Sequence, residues 1–208
     1  MEEDEETPKS IPPWVELEYS HMRILAGHDS TVHFTNLSEA SRASLSDAFA
    51  KSHEDGLAGA QCHREGIIKV LQEKTGSVSL ETVCLLDPKA EKELSPEDGD
   101  GRFTWFLFGV SDDPPRDRTA ELRKLGFPAR RLGPIQMTTD TALGVTKIVV
   151  VDKKPIDKIP YVDMPTIRFN AKESVEMPFR YIAHDGEPIL PPGMRELLHE
   201  DLNKSFDF

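Results

Sequence analysis

Two short stretches of the chain gather the residue types that chemistry would need. The first is Asp112, Asp113, Pro114, Pro115, Arg116, Asp117 and Arg118, in which carboxylates and guanidiniums alternate around a proline pair. The second runs from Arg130 and Arg131 through Leu132, Gly133 and Pro134 to Gln136, Met137, Thr138 and Thr139. Carboxylates can hold a cation by paired hydrogen bonds and can accept a proton. Backbone amides at a helix start favour an anion. Each feature also has a purely structural reading: Asp113 as the cap of a following helix, Asp117 as a charge favoured by that helix's dipole, and Thr138 or Thr139 as an N-cap. Cys62 and His63 are adjacent, but with Cys84 as the only other cysteine they offer no zinc pattern and are taken as structural. There is no P-loop, GxSxG, HExxH or CxxC motif.

Both stretches lie between a predicted strand and a predicted helix. Residues 104–108, TWFLF, form an aromatic, β-prone run expected to be a strand buried on both faces, ended by Gly109. A helix is expected over 116–125, with proline near its start and Gly126 closing it. Residues 127–132 predict a second short strand, Gly133 and Pro134 a turn, and a helix then reaches about residue 151. Ala142, Val145, Ile148 and Val149 recur along it at helical spacing, although its β-branched content leaves a late switch to strand open. Residues 83–87, VCLLD, predict another strand, stopped by Pro88. Ligands of α/β sheets gather at the carboxyl ends of strands, which makes Leu86, Asp87 and Pro88 candidate wall residues.

The remaining elements frame these. Upstream, a helix is expected over 14–26 with Trp14, Leu17, Met22 and Leu25 as its apolar face, Trp14 being core, and Gly27 ends it. A strand over 31–35, a helix over 37–51 with Ala40, Leu45, Ala48 and Phe49 inward, a loop over 53–63, a short helix over 66–73 and a loop over 91–101 follow. Downstream come a turn at 155–159, extended edge-like chain over 161–169 interrupted by Pro165, a strand over 177–183, a turn at 184–186 and a helix over 194–202. The organisation expected is an acidic, disordered leader over 1–11, one domain over 12–160, and an extension over 161–208 packed on it.

Composition narrows the class. The chain has 208 residues, 38% hydrophobic and 30% charged, and no apolar run near the length of a membrane span. The acidic start MEEDEE is the opposite of a targeting peptide, and two cysteines suit a reducing compartment, so a cytoplasmic protein is expected. The net charge of −12 is uneven: residues 1–100 hold 21 acids and 9 Lys or Arg, while residues 101–208 hold 16 of each. An enzyme docking on RNA phosphates would show a basic stripe. Here the field favours a basic partner, though acidity can also serve solubility alone.

The segments FLFG, PPRDRT, RRLG, QMTTDTA, IRFN, MPFRY and PILPPGM, in this order, closely resemble a eukaryotic SPOUT-type methyltransferase family that methylates arginine in a small-subunit ribosomal protein. The similarity is strong from about residue 83 to 196, and WVELEYSHM near the start also fits. The resemblance implies an α/β fold with a mostly parallel sheet, helices on both faces and a C-terminal trefoil knot whose loops hold S-adenosylmethionine. It places Leu86, Asp87, Pro88, Phe108, Gly109, Leu132, Gly133, Gln136, Met137, Thr138 and Thr139 at the cofactor. It also implies a monomer with no metal. Two departures are visible: family members open with a short apolar strand ahead of the segment matched by Met1 and Glu2, and their loop after FLFG is about two residues longer and richer in glycine. The resemblance therefore implies that an otherwise central strand is absent here.

Arginine methylation sets a defined chemical demand. The guanidinium stays protonated near neutrality and has no free lone pair. An enzyme must supply a carboxylate that holds it, aligns one nitrogen and accepts the proton. Asp113 and Asp117 are the candidates, with Asp112 third. Arg116 and Arg118, ahead of Arg130 and Arg131, could anchor those carboxylates or clamp the carboxylate of the cofactor. The alternatives are an RNA methyltransferase of the same fold and a non-catalytic ribosome-associated paralogue that has lost the cofactor.

Overall fold

The computed structural model describes residues 11–51, 55–76, 79–109 and 119–204. Residues 1–10 of the expected leader and residues 110–118 therefore lie outside the described residues, whereas Ile11, expected to end the leader, is buried with Val15 and Tyr19. The chain starts with helix α1 (Pro13–Ala26), which has proline at its first position and closes at Gly27, whose amide donates to the Arg23 carbonyl. Its buried face is Val15, Tyr19 and Met22 with His21 and Arg23. Trp14, expected in the core, is instead one of the exposed large apolar side chains, because the inward stripe is set by Val15, Tyr19 and Met22, a turn apart, and Trp14 precedes it by one residue.

Strand β1 (Thr31–Phe34) and helix α2 (Glu39–Lys51) follow as expected, and α2 turns Leu45 and Phe49 inward with Ser41. Residues 59–62 were expected to be loop and are strand β2 (Gly59–Cys62), paired in parallel with β1 from Thr31↔Gly59 to Phe34↔Cys62. Gly59, Ala60 and Gln61 have weak β propensity, and it is the pairing with β1 that makes them a strand. The two strands and α1 and α2 enclose one apolar cluster containing Val15, Tyr19, Met22, Phe34, Leu45 and Phe49.

Helix α3 (Ile67–Thr75) leads to the central strand β3 (Val83–Leu86), buried along its whole length. β3 is flanked in parallel by β4 (Trp105–Phe108) and β5 (Ala129–Arg130), in the order β4-β3-β5. The short helix α4 (Thr119–Lys124) precedes β5, and α5 (Thr139–Val150) follows it. α5 remains helical to Val150, with Val145 and Val149 fully buried against Cys84 and Leu86 of β3. A 3-10 turn over Pro96–Gly99 packs so tightly on the end of α5 that a Cβ on Gly99 would meet the Val150 carbonyl oxygen at 2.1 Å.

β4 is half-buried along its length rather than enclosed on both faces. The reason lies in its pairing: among the described residues β4 bonds only to β3, and β1 only to β2. Residues 31–35 and 104–109 line the two sides of one cavity of about 1050 Å³, which α1 and α5 also border through Met22, Leu143 and Val150. The aromatic side chains of β4 cover part of that space.

The C-terminal portion is antiparallel. β6 (Tyr161–Asp163) pairs with β9 (Arg180–His184), and β9 turns through Asp185 and Gly186 to β10 (Glu187–Pro188). β7 (Thr166–Arg168) pairs with β8 (Ser174–Glu176), and α6 (Met194–Lys204) ends the described chain beside α1. Ile182 of β9 joins the cluster of α5 and β3, so this extension shares the core that supports the parallel strands.

Candidate functional site

The carboxyl ends of the three parallel strands meet the loop that enters α5. Leu86 ends β3 in the core, and Phe108 of β4, Leu132 just after β5, and Met137 ahead of α5 all pack on the same apolar cluster. Residues that the strand end or the family resemblance puts at the cofactor, from four separate segments, thus pack on one apolar cluster. Gly109, which follows Phe108, approaches α4 closely: a Cβ there would lie 2.7 Å from Thr119 Oγ1. Gly133 has φ +91° with open space where a Cβ would stand, so the chain turns there in a conformation few other residues adopt. Pro88 and Gln136 are exposed, and Thr138 is half-buried.

The 136–139 loop is held by its neighbours. The Arg180 amide donates to the Gln136 carbonyl at 2.8 Å, and Met137 bridges to Arg180 in parallel fashion. Arg180 itself lies with its guanidinium 4.6 Å from the centre of the Tyr161 ring and donates twice to Asp163, at 2.6 and 2.9 Å. That explains why the MPFRY and RRLG-QMTTDTA segments stand together: the first residue of β9 pins the loop from outside. Thr138 occupies the N-cap position of α5 as expected, but its side chain makes no capping bond. Its hydroxyl donates instead to Thr141 Oγ1 at 2.8 Å. The amide end of α5 is thus not closed by its own cap, which suits an anionic group.

Asp87 is 2% exposed, and its carboxylate is taken up by the protein. Arg123 of α4 donates to it at 2.5 and 2.9 Å, and the Lys89 amide donates at 2.9 Å. The Arg123 hydrogen bond, against the opposing effect of burial, holds the carboxyl below its usual range. Asp87 thereby fixes α4 to the end of β3. Arg130 is likewise engaged: it is 6% exposed, donates to Asp98 at 2.9 and 2.8 Å, and stands 5.2 Å from the centre of the Phe103 ring. Arg130 cannot reach out to clamp a ligand, whereas Arg131 is exposed. Asp112, Asp113, Arg116, Asp117 and Arg118 lie outside the described residues.

Sequence reasoning missed Arg123, Asp98, Asp163 and the buried His21–Asp140 pair, whose nitrogen and oxygen are 2.6 Å apart. Their partners are remote in the chain, and no local spacing marks them. It also missed His33, stacked on His63 and 5.0 Å from the Trp105 ring beside the cavity. Among the described residues no group of three or more His, Cys, Asp or Glu could hold a metal ion, and no helix is long and apolar enough to cross a membrane.

Comparison with known proteins places this geometry. Residues 1–205 match the family described as Protein arginine N-methyltransferase SFM1-like. Protein arginine N-methyltransferase SFM1 of Saccharomyces cerevisiae is 48% identical over 132 residues, a stretch covering 60% of this chain and 61% of that protein, so the match spans less than two thirds of the curated relative. Over longer alignments the identity falls. The crystal structure of the yeast arginine methyltransferase SFM1 complexed with SAM superposes with a TM-score of 0.77 at 34% identity, covering 93% of this chain and 87% of that one. The same enzyme complexed with SAH superposes with a TM-score of 0.74 at 35% identity, covering 91% and 90%. The fold is accordingly the SPOUT-type α/β arrangement that the motifs implied.

Proposed function

The chain belongs to the SFM1-like protein arginine N-methyltransferase family, and on that premise we propose that it methylates an arginine side chain in a basic protein, with S-adenosylmethionine as methyl donor. The observation that carries the proposal is the convergence of Leu86, Phe108, Leu132 and Met137 at the carboxyl ends of the parallel strands, beside a loop clamped by Arg180 and an α5 start without its own cap.

These residues fit the cofactor. The apolar patch suits its uncharged parts, and the amide end of α5 suits its carboxylate. When bound, S-adenosylmethionine supplies a methyl group on a positively charged sulfur. The chain must do the rest. Leu86, Phe108, Leu132 and Met137 exclude water from the transfer path, and Gly133 lets backbone approach without a side chain in between. Asp113 or Asp117 holds the guanidinium, directs one nitrogen and takes its proton, while Arg116 or Arg118 anchors that carboxylate.

The partner is a basic protein, such as a small-subunit ribosomal protein, met by the protein as a cytoplasmic monomer; the 21 acids against 9 bases of residues 1–100 support a basic partner over RNA. Calorimetric titration of S-adenosylmethionine into the full chain, followed by transfer of a labelled methyl to purified basic ribosomal proteins, tests the reading. Binding with label on arginine is expected. Binding with label only on RNA would turn the assignment to the RNA methyltransferase alternative, and no binding would leave a non-catalytic paralogue.

A further inference from the structure

Where α1 crosses α5, three ionisable side chains from three elements, His21, Asp140 and Tyr181, are buried together, with Glu18 half-buried beside them. His21 Nδ1 and Asp140 Oδ2 stand 2.6 Å apart, and the two residues are 4% and 1% exposed. The second oxygen of Asp140 and the hydroxyl of Tyr181, on β9, are both buried without a hydrogen-bond partner among the described residues. Glu18 lies on α1, almost one turn before His21, and faces the same space.

Such a cluster is a poor way to gain stability, since an apolar replacement of an interior ion pair is often neutral or better. Its place in the fold supplies another purpose. Asp140 is the second residue of α5 and directly follows the 136–139 loop. Tyr181 directly follows Arg180, whose amide holds Gln136 from the other side. The walls of the cluster are therefore continuous with the two segments that hold the loop.

We propose that the buried His21–Asp140 pair is a positioning device that fixes the first turn of α5 and so presets the Gln136–Thr139 loop for the cofactor. This deepens the reading of the strand-end site as a cofactor site and rests on it. His21 anchors Asp140 to α1, α1 is fixed in the N-terminal core by Val15, Tyr19 and Met22, and the first turn of α5 can neither rotate nor slide without breaking the 2.6 Å contact. The groups facing Asp140 are His21 and Glu18 from α1 and Tyr181 from β9. Burial first, and then the charge of Asp140, push the Glu18 carboxyl up to about 8. Above that pH Glu18 carries a negative charge into the cluster beside Asp140 and loosens the turn.

The test uses the full 208-residue chain. Affinity for S-adenosylmethionine is measured by calorimetry on both sides of pH 8, and hydrogen exchange of the 136–139 amides is followed without ligand. Asp140→Asn is expected to weaken binding about tenfold and to speed exchange in the loop. His21→Gln, which keeps an N–H toward Asp140, should restore most of the affinity lost in His21→Ala. Glu18→Gln should remove the alkaline decline. Leu71→Ala, in the cluster that α3 forms with Val83, Leu85 and Phe127 and that contains no residue of α1 or α5, serves as a control that lowers melting temperature while leaving affinity and loop exchange unchanged. Asp140→Asn with wild-type affinity and wild-type loop exchange would overturn the proposal and leave a merely structural pair. Should the wild-type chain bind no S-adenosylmethionine, the cofactor reading fails, and the exchange measurement on the unliganded chain still decides whether Asp140 positions the loop.

Discussion

Arg130 shows how a single residue can carry two readings that only burial separates. Its place in RRLG, beside a turn that enters a helix, made it a candidate clamp for an anion. In the structure its guanidinium is spent on Asp98, which also accepts from the Ser95 amide at 3.1 Å and so closes the 3-10 turn beneath α5. Removing the arginine would strand a carboxylate that is 5% exposed, so Arg130→Ala is expected to destabilise by about 3–5 kcal/mol, read as a lower urea midpoint. Replacing Arg130 and Asp98 together with apolar residues should recover most of that loss, because no buried charge is then left unpaired. Asp87 carries the same lesson. A carboxylate at the end of a buried strand is legible as a functional position, but Arg123, 36 residues away, is not legible as its partner, since sequence spacing carries no information on which remote side chain arrives. Leu86 was legible locally as the end of an apolar strand, whereas Phe108, Leu132 and Met137 were set beside it by the family resemblance. His21, Asp140 and Arg180 could not be, because their roles depend on helices and strands brought together by folding.

Elements with a strong period were legible and elements made by their neighbours were not. α2 and α5 were readable from apolar residues at three- and four-residue spacing, and α1 from its proline start and glycine stop. β2 carries no such pattern and exists because β1 offers it an edge. The burial of β4 was overestimated for the same kind of reason: a strand's own composition does not reveal that its second edge faces a cavity. The junction of these strands also has a pH signature. His33 of β1 is placed between His63 and Trp105, with its Nδ1 3.1 Å from His63 Nε2. Burial first, then His63 and Lys74, push its pKa down to about 4 from 6.5. The folded state therefore resists a proton that the unfolded chain accepts, and stability contributed by neutral His33 is complete above pH 6.5 and is lost as pH falls toward 4. His33→Asn should flatten the pH dependence of the melting temperature across that window. An unchanged slope in His33→Asn would show that the pair is not coupled to folding.

Taken whole, the chain is charge-asymmetric: residues 1–100, which end with β3 and the turn after it, carry the entire net charge of −12, and residues 101–208, which hold β4, β5 and α5, are balanced. Part of the acidic half lies close to the candidate site in space, because α1 packs along α5, the helix that the 136–139 loop enters. Long-range attraction of a basic protein would act through this field and would be screened beyond about 10 Å at 0.1 M salt. An S-adenosylmethionine molecule, small and bound through an apolar patch and backbone amides, would feel much less of it. The two substrates should therefore separate in a salt series. Raising ionic strength is expected to lower kcat/KM for a basic protein substrate by about tenfold, with most of the change in KM, while the affinity for S-adenosylmethionine stays nearly constant. Neutralising Glu2, Glu3, Asp4, Glu5 and Glu6 to their amides should reduce the slope of that dependence. A kcat/KM that ignores salt in the parent chain would remove the electrostatic argument for a basic partner, and one that rises with salt would mean that the acidic half repels the true substrate.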